Sequence, residues 1–399
     1  MRFLLDEGQR DFDRTLDRML GAADTPGAVR AWSEGDHTAG RGLWERLGGA
    51  GVFALAVPEA YGGAGMLPVE LAVAFVQLGR HAVPGPVAET VATGVLLATL
   101  ADAADSTAGP AKDWLPGIAS GRTVATLCVA QRCGMDGRGF GGADRHGIGG
   151  ADGRGFGEAG RTGRGREDGN SSDGAGGCGF GGGPYALDAD CADAVFAVGG
   201  DALGVLRLSD APQGDARPEV QPSLDPARRL SVPHPGGELP ASGTAVREAA
   251  GRAMEWAAFA TAAQALGAGL ALVERTVAYV KQRTQFGVPI GSFQAVKHQL
   301  ADALLGLEFA RPLLYGAAVA LSAGSGGGGA GEWSPGAEIA AAKAAAGEAA
   351  YAAARTALQL HGAIGYTAEC DLSLWINKAR ALRAAWGTPS QCRARVLAG

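Results

Sequence analysis

Residues 283–294 combine residue types that suit ligand binding. The segment RTQFGVPIGSFQ holds a cation, two aromatic rings, two amides and three turn-forming residues in twelve positions. Arg283 carries a planar, permanently charged guanidinium that matches phosphate oxygens. A solvated arginine that complements a helix dipole is the alternative for Arg283 alone. A helix junction in a bundle core does not need this mixture, so the segment predicts a ligand site.

A second candidate segment is Gln359–Tyr366, which reads QLHGAIGY. Two glycines directly after a predicted helix allow backbone to approach a ligand closely. The alternative is a plain helix C-cap made by Gly362. Both candidate segments lie at the ends of long Ala-rich patterns, so the elements around them decide what they can do.

Composition limits the class of protein. The chain has 399 residues, of which 47% are apolar, so it can bury sizeable cores in two or three domains or layers. The net charge of −6 argues against a nucleic-acid-binding protein. No apolar run of about 18 residues and no charged-then-apolar leader is present, so neither a membrane partner nor a signal peptide is expected. The six scattered cysteines indicate reduced thiols, a cytoplasmic location and no metal site.

Periodicity predicts an α+β multi-domain fold. Residues 1–120 form an N-terminal helical domain whose first helix covers 1–30, and 121–244 form a β-sandwich or barrel domain that includes a strand at 188–198. Residues 245–399 form a four-helix bundle with helices near 245–281, 292–322, 338–360 and 371–385, because Ala-rich faces allow close helix approach.

A glycine-rich insertion interrupts the β domain at 133–184. The sequence DGRGFG occurs at 136–141 and again at 152–157. Such a segment has little to bury and much backbone entropy to lose, so we expect it to be disordered. RNA binding by its Arg-Gly-Phe-Gly repeats is the less favoured alternative to a passive surface insertion.

The chain resembles the acyl-CoA dehydrogenase family, of the actinobacterial type, over nearly its whole length. Family members carry Arg-x-x-Phe-Gly and then Phe-Gln at the spacing of 283–294. Residues 51–65 look like the family's apolar run, Val-Pro-Glu and Tyr-Gly-Gly turn, and 359–366 look like Gln-x-x-Gly-Gly-x-Gly with Ala363 in place of the second glycine.

The resemblance implies an FAD-dependent oxidoreductase that desaturates an acyl thioester, on CoA or an acyl-carrier protein. It implies that Arg283 reaches the FAD pyrophosphate across a subunit interface, in a homo- or hetero-tetramer with another chain of the family. Electron-transfer flavoprotein is an implied electron acceptor. The cofactor-binding residues that the resemblance implies are Arg283, Gln285, Phe286, Gln294, Gln359, Gly362, Ala363 and Thr388.

The family's catalytic glutamate precedes a Gly-Thr pair, which matches Gly387-Thr388 without gaps. The base position is then Trp386, and an indole cannot act as a general base. Some relatives carry the base on the preceding long helix, at the position of Ala257. Glu255 lies on another helical face, and Glu274 is expected to face the bundle in a structural or solvated role.

The β domain departs from the family as well. The best match to the family's Thr-Glu-x-x-x-Gly-Ser-Asp is 130–136, and no Trp-Ile-Thr or Trp-Ile-Ser precedes Tyr185. Three hypotheses remain open: an accessory subunit that completes a partner's FAD site, a self-sufficient dehydrogenase with a non-standard base, and a flavin-dependent monooxygenase or non-catalytic scaffold. The joint absence of the base and the ring-binding motifs favours the first.

Overall fold

The structure is a computed structural model that describes residues 4–103, 108–130, 185–207, 219–233, 238–324, 335–367 and 369–398. The predicted glycine-rich insertion at 133–184 lies outside these residues. So does most of the segment 130–136.

Six helices form the N-terminal region of the described chain, and a two-stranded hairpin separates the third from the fourth. A proline and the capping residue Asp24 start the second helix, so the single helix predicted over 1–30 is wrong. The elements are α1 (Glu7–Gly21), α2 (Thr25–Ser33), α3 (Thr38–Gly49), β1 (Ala56–Val57), β2 (Gly65–Met66), α4 (Pro68–Arg80), α5 (Val87–Ala103) and α6 (Ala108–Ala119).

The middle region contains two small sheets, in the orders β3-β5-β6-β9 and β4-β8-β7. Strands β3 and β5 run parallel, and the other pairs are antiparallel. The strand predicted over 188–198 is shorter, because Asp188 has a φ of +53° and starts a turn. The strands are β3 (Ala125–Ala130), β4 (Ala186–Leu187), β5 (Ala194–Gly199), β6 (Ala202–Arg207), β7 (Val220–Gln221), β8 (Leu230–Ser231) and β9 (Glu238–Ser242).

The C-terminal region is a bundle built around one central helix, α7. A short hairpin joins α7 to the next helix. The elements are α7 (Thr244–Gln282), β10 (Thr284–Gln285), β11 (Val288–Pro289), α8 (Gln294–Gly324), α9 (Pro335–His361), α10 (Leu372–Ala384) and α11 (Pro389–Ala398).

Helix α11 was not predicted, although the sequence carries its start signal. Thr388 Oγ1 and Gln391 Oε1 form a reciprocal capping arrangement, in which the Thr388 N–H donates to Gln391 over 2.9 Å and the Gln391 N–H donates to Thr388 over 3.3 Å. A proline follows at the first helical position. Thr-Pro-Ser-Gln is therefore a helix start here.

Helices α4 and α7 cross in close contact because both carry glycine at the crossing. A Cβ on Gly267 would lie 1.9 Å from the Val76 carbonyl oxygen, and one on Gly79 would lie 2.0 Å from that of Gln264. Side chains at these positions would push the helices apart. The two glycines thus join the N-terminal helices to the bundle.

Two helices are long and apolar enough to span a membrane by length and composition. The apolar window of α7 is fully buried in the fold, as in the core helix of a soluble protein, whereas only 33% of the window in α8 is buried. Helix α8 therefore carries an apolar face that the described chain leaves uncovered.

Candidate functional site

The hairpin between α7 and α8 projects into solvent. Its two loop residues, Phe286 and Gly287, have φ angles of +53° and +80°, as tight two-residue hairpins require. Phe286 is 94% exposed although it is a large apolar residue. Non-glycine residues seldom adopt positive φ, so the hairpin presents this ring at some cost in backbone strain.

The predicted ligand residues of this segment share that exposed position. Arg283 ends α7 and its guanidinium forms no ion pair within the described residues. Gln285 lies on β10, where its side-chain amide donates to the neighbouring Thr284 carbonyl. Gln294 begins α8 and is exposed. All of them are available to a ligand or a partner.

The second predicted segment lines a groove of about 670 Å³. Gln359, Gly362 and Ala363 form part of its wall, together with Gln299 from α8. Gly362 has a φ of +65° and open space where a side chain would be. The structure thus groups three of the residues implied by the resemblance around one groove.

Sequence reasoning missed Arg355, which lines this groove together with Tyr366 from the end of the predicted segment. Arg355 lies four residues before Gln359 on α9, so the helical repeat puts both on one face. That spacing was the signal available in the sequence. Tyr366 is 75% exposed.

Tyr279 and His361 hold the hairpin end of α7 against the groove end of α9. Their rings stack with centroids 4.1 Å apart, and the Tyr279 hydroxyl lies 3.5 Å from the His361 carbonyl oxygen. Burial lowers the pKa of His361, so its ring stays neutral near neutral pH. The exposed hairpin and the groove therefore lie at the same end of the bundle.

Trp386 lines a separate cavity of about 410 Å³ between α5, the middle region and α10. The residue is 9% exposed and has a φ of +53°. Its indole Nε1 donates to Glu89 Oε1 over 2.9 Å, and Arg228 Nη2 lies 3.5 Å from the same oxygen. The predicted base position thus holds an indole that is engaged with a carboxylate from α5.

Lys343 supports the loop that carries Trp386. Its side chain is 1% exposed and donates to the carbonyl oxygens of Leu382, Arg383 and Gly387 over 3.0–3.2 Å. Burial lowers the pKa of Lys343 to about 8. The bonds to Leu382 and Arg383 satisfy carbonyls in the last turn of α10, and the bond to Gly387 holds the loop that follows. Thr388 follows, but its hydroxyl is used to cap α11.

The alternative base position places no base near the cavity. Ala257 is fully buried in α7. Glu255 is paired with Arg395, at the opposite side of α7 from Ala257. Glu274 pairs with Arg80 over 2.7 Å and is 67% exposed, so the expectation that it faces the bundle is wrong.

Glu89 belongs to a buried charged layer that the sequence analysis did not single out. Asp188 and Lys378 are also buried, and Asp188 Oδ1 accepts from Trp32 Nε1 over 3.1 Å and from the Arg229 N–H over 3.2 Å. Burial raises the pKa of Asp188 to about 7. Charged residues in apolar stretches were the available signal, since carboxylates and lysines are seldom fully buried unless paired.

His37, Asp190 and Cys191 bring three potential metal ligands within 4.8 Å of one another. Asp190 is already paired with Arg229 over 2.9 Å, and burial raises the pKa of the Cys191 thiol. A carboxylate that is already ion-paired and a protonated thiol are poor metal ligands.

The fit to a dinucleotide cofactor differs between the two regions. The unpaired Arg283 suits a pyrophosphate, and the groove at Gly362 allows close backbone approach. The cavity at Trp386 carries a buried carboxylate, Glu89, on its wall. The outward-facing residues therefore fit the phosphates and adenosine of a dinucleotide such as FAD.

The fold and these sites define an acyl-CoA dehydrogenase-type protein. The family model of the acyl-CoA dehydrogenase N-terminal domain matches residues 6–122, and that of the C-terminal domain matches 247–398. The chain therefore belongs to the acyl-CoA dehydrogenase family, whose members are FAD-dependent oxidoreductases. The resemblance and the α+β multi-domain fold expected from the sequence are both confirmed.

Among known proteins, the chain is 27% identical over 368 residues to acyl-CoA dehydrogenase IpdE2 of Mycolicibacterium smegmatis, covering 92% of this chain and 90% of that one. A variant of the Tcur3481–Tcur3483 steroid ACAD shares the fold with a TM-score of 0.71 at 22% identity, covering 98% and 97% of the two chains. The ChsE4–ChsE5 complex of Mycobacterium tuberculosis gives 0.68 at 21% identity, covering 100% and 98%.

Proposed function

We propose that this chain is an accessory subunit that completes the FAD site of a second acyl-CoA dehydrogenase-like chain. The assembly would desaturate an acyl thioester between its α and β carbons, with CoA or an acyl-carrier protein as the carrier. FAD would accept the hydride, and an electron-transfer flavoprotein would reoxidise it. In this arrangement the partner supplies the general base.

The observation that carries the proposal is the contrast between the two regions. Trp386 stands where the resemblance implies the base. The one N–H of its indole ring is donated to Glu89. Arg283, in contrast, faces outward with no ion pair within the described residues. The chain thus offers groups to a neighbour's cofactor while its own cavity presents an indole at the base position.

The exposed face of α8 supports assembly with another chain. Leu305, Phe309 and Leu313 recur every four residues and are 53%, 73% and 38% exposed. Phe286 and Phe293 add two exposed aromatic rings at the hairpin before α8, with ring centroids 6.4 Å apart. Clusters of exposed apolar side chains of this kind mark protein interfaces. The two-component names of the Tcur3481–Tcur3483 and ChsE4–ChsE5 structures are consistent with such an assembly.

The test compares the lone chain with the chain co-purified with a co-encoded dehydrogenase-like partner. Visible spectra report bound flavin, and acyl-CoA-dependent bleaching reports turnover; the acyl panel includes a steroid-derived thioester because of the steroid ACAD above. We expect flavin and bleaching only in the assembly, and lower FAD occupancy with Arg283→Ala. Arg10→Ala, a change to an arginine on α1, is the matched control and should leave occupancy unchanged. Flavin bleaching in the lone chain would contradict the proposal.

A self-sufficient dehydrogenase is the second candidate, and Glu89 is the observation that favours it. This carboxylate lines the same cavity as Trp386, although it lies on α5, far from Trp386 in the sequence. Its Oε1 is engaged by Trp386 and Arg228, which leaves Oε2 as the oxygen that could take a proton. Bleaching by the lone chain that disappears with Glu89→Gln would establish this alternative.

A further inference from the structure

The cavity at Trp386 is lined by exposed residues on one side and by buried residues on the other. Tyr185 and Leu224 are 43% and 57% exposed and define its open side, together with the exposed Arg380. Glu89, which is 3% exposed, lies at its buried side. Apolar side chains form most of the wall between them, namely Leu127, Leu187, Leu230, Ala381 and Ala385.

Glu89 retains unused hydrogen-bonding capacity. Oε1 accepts from Trp386 and pairs with Arg228, whereas Oε2 is buried and has no hydrogen-bond partner in the described part of the chain. A buried acceptor without a partner is costly, and more so when it is charged. The carboxylate lies in the first turn of α5, where the helix dipole favours negative charge.

The carboxylate can reach a molecule in the cavity. Glu89 lines the cavity and Trp386 holds its Oε1, so Oε2 is the oxygen that remains to accept a hydrogen bond. Glu89 can then form a hydrogen bond only with a donor group of the bound molecule, because an ionised carboxylate has no hydrogen to donate. An anionic group at this end would meet a like charge.

We propose that this cavity binds a mainly apolar molecule with a hydroxyl or N–H group at its buried end, and that Glu89 accepts the hydrogen bond from that group. The exposed Arg380 favours a negative or strongly polar group at the open end. This site belongs to the chain's own cavity. The inference therefore goes beyond the accessory role at a partner's flavin and does not depend on it.

The test uses two probes, 4-butylphenol and 4-butylanisole, in which one methyl group replaces the phenolic hydrogen and so removes the donor. Titration calorimetry on the purified lone chain measures both affinities, without flavin or a partner. We expect the phenol to bind about tenfold more tightly than the ether, the size of a hydrogen bond to a charged acceptor. Failure of this test leaves the flavin-occupancy result unaffected, and the reverse also holds.

Three variants locate the effect. Glu89→Gln keeps the shape of the side chain, and we expect the preference for the phenol to fall severalfold, because a neutral amide oxygen is a weaker acceptor than a carboxylate. Glu59→Gln makes the same change at an exposed turn and should keep the preference. Ala381→Phe fills the cavity wall and should weaken both probes. Circular dichroism and thermal unfolding verify that each variant is folded.

Several results would overturn the inference. Equal affinities for the phenol and the ether would show that no donor is recognised. A preference of native size in Glu89→Gln would assign recognition to another group. Absence of saturable binding of either probe by the native chain, or undiminished binding by the folded Ala381→Phe chain, would show that the cavity is not the site.

Discussion

Trp386 Nε1 donates a hydrogen bond to Glu89 Oε1 over 2.9 Å, joining residues that are 297 positions apart in the chain. The bond links the loop after α10 to the first turn of α5. Both side chains are buried, at 9% and 3% exposure. It therefore fixes the orientation of the indole in the cavity and one oxygen of the carboxylate.

Replacing Trp386 with phenylalanine should measure this bond. The change removes the donor and leaves a buried carboxylate with Arg228 as its remaining partner at 3.5 Å. Trp256→Phe is a matched control, because Trp256 is fully buried and its Nε1 has no hydrogen-bond partner among the described residues. In urea unfolding, we expect Trp386→Phe to cost about 1.5–3 kcal/mol more than Trp256→Phe. Equal losses would mean that the bond contributes nothing to stability.

The sequence predicted the helices of the bundle well, because their Ala-rich repeats are long. Observed α7 and α9 end within a few residues of the predicted positions. The short elements were less predictable: Asp24 and Thr388 start helices through local capping, which periodicity does not detect. Local side-chain signals rather than apolar repeats decide such boundaries.

The candidate site was predictable in part. Gln359, Gly362 and Ala363 lie on one groove, as a compact sequence motif allows. The pairing of Glu89 with Trp386 was not predictable, because it depends on how two distant helices pack. Arg228 reaches the same carboxylate from the middle region. A contact among three regions leaves no spacing pattern in one sequence.

Asp188 should make the stability of the protein depend on pH. Burial raises its pKa to about 7, compared with 3.8 for an ordinary aspartate. Between these pH values the folded chain keeps a proton that the unfolded chain has released, so this contribution is fully present below pH 3.8 and is lost as pH rises through 7. The full loss amounts to about 4 kcal/mol.

Asp188→Asn should remove that dependence, since a neutral amide oxygen can still accept from Trp32 and the Arg229 N–H. Urea unfolding from pH 5 to pH 8 should show a smaller decline for the variant than for the native chain. Asp201→Asn, at an exposed turn, serves as the control and should follow the native curve. A decline of native size in Asp188→Asn would rule out this carboxyl as its source.

Phe309 should contribute to association through the exposed face of α8. It is 73% exposed, so Phe309→Asp should leave the folded chain intact while placing a charge on the apolar surface. Analytical ultracentrifugation should then show dissociation toward monomer, at concentrations where the native chain or its assembly is larger. Leu239→Asp changes an equally exposed residue on β9, at 76%, and should not alter the mass. Loss of assembly in both variants, or in neither, would contradict a role for this face of α8.

Gly267 should be required for the crossing of α4 and α7. Gly267→Ala would place a methyl group 1.9 Å from the Val76 carbonyl oxygen, so the helices must separate. We expect a loss of about 1–3 kcal/mol or more in urea unfolding, as for overpacked cores. Gly251→Ala lies on the same helix with no atom within 4 Å, and it should stabilise the chain by about 0.5–1 kcal/mol because alanine favours helix. Similar effects of the two substitutions would mean that helix propensity, rather than the close approach of α4, decides the cost at Gly267.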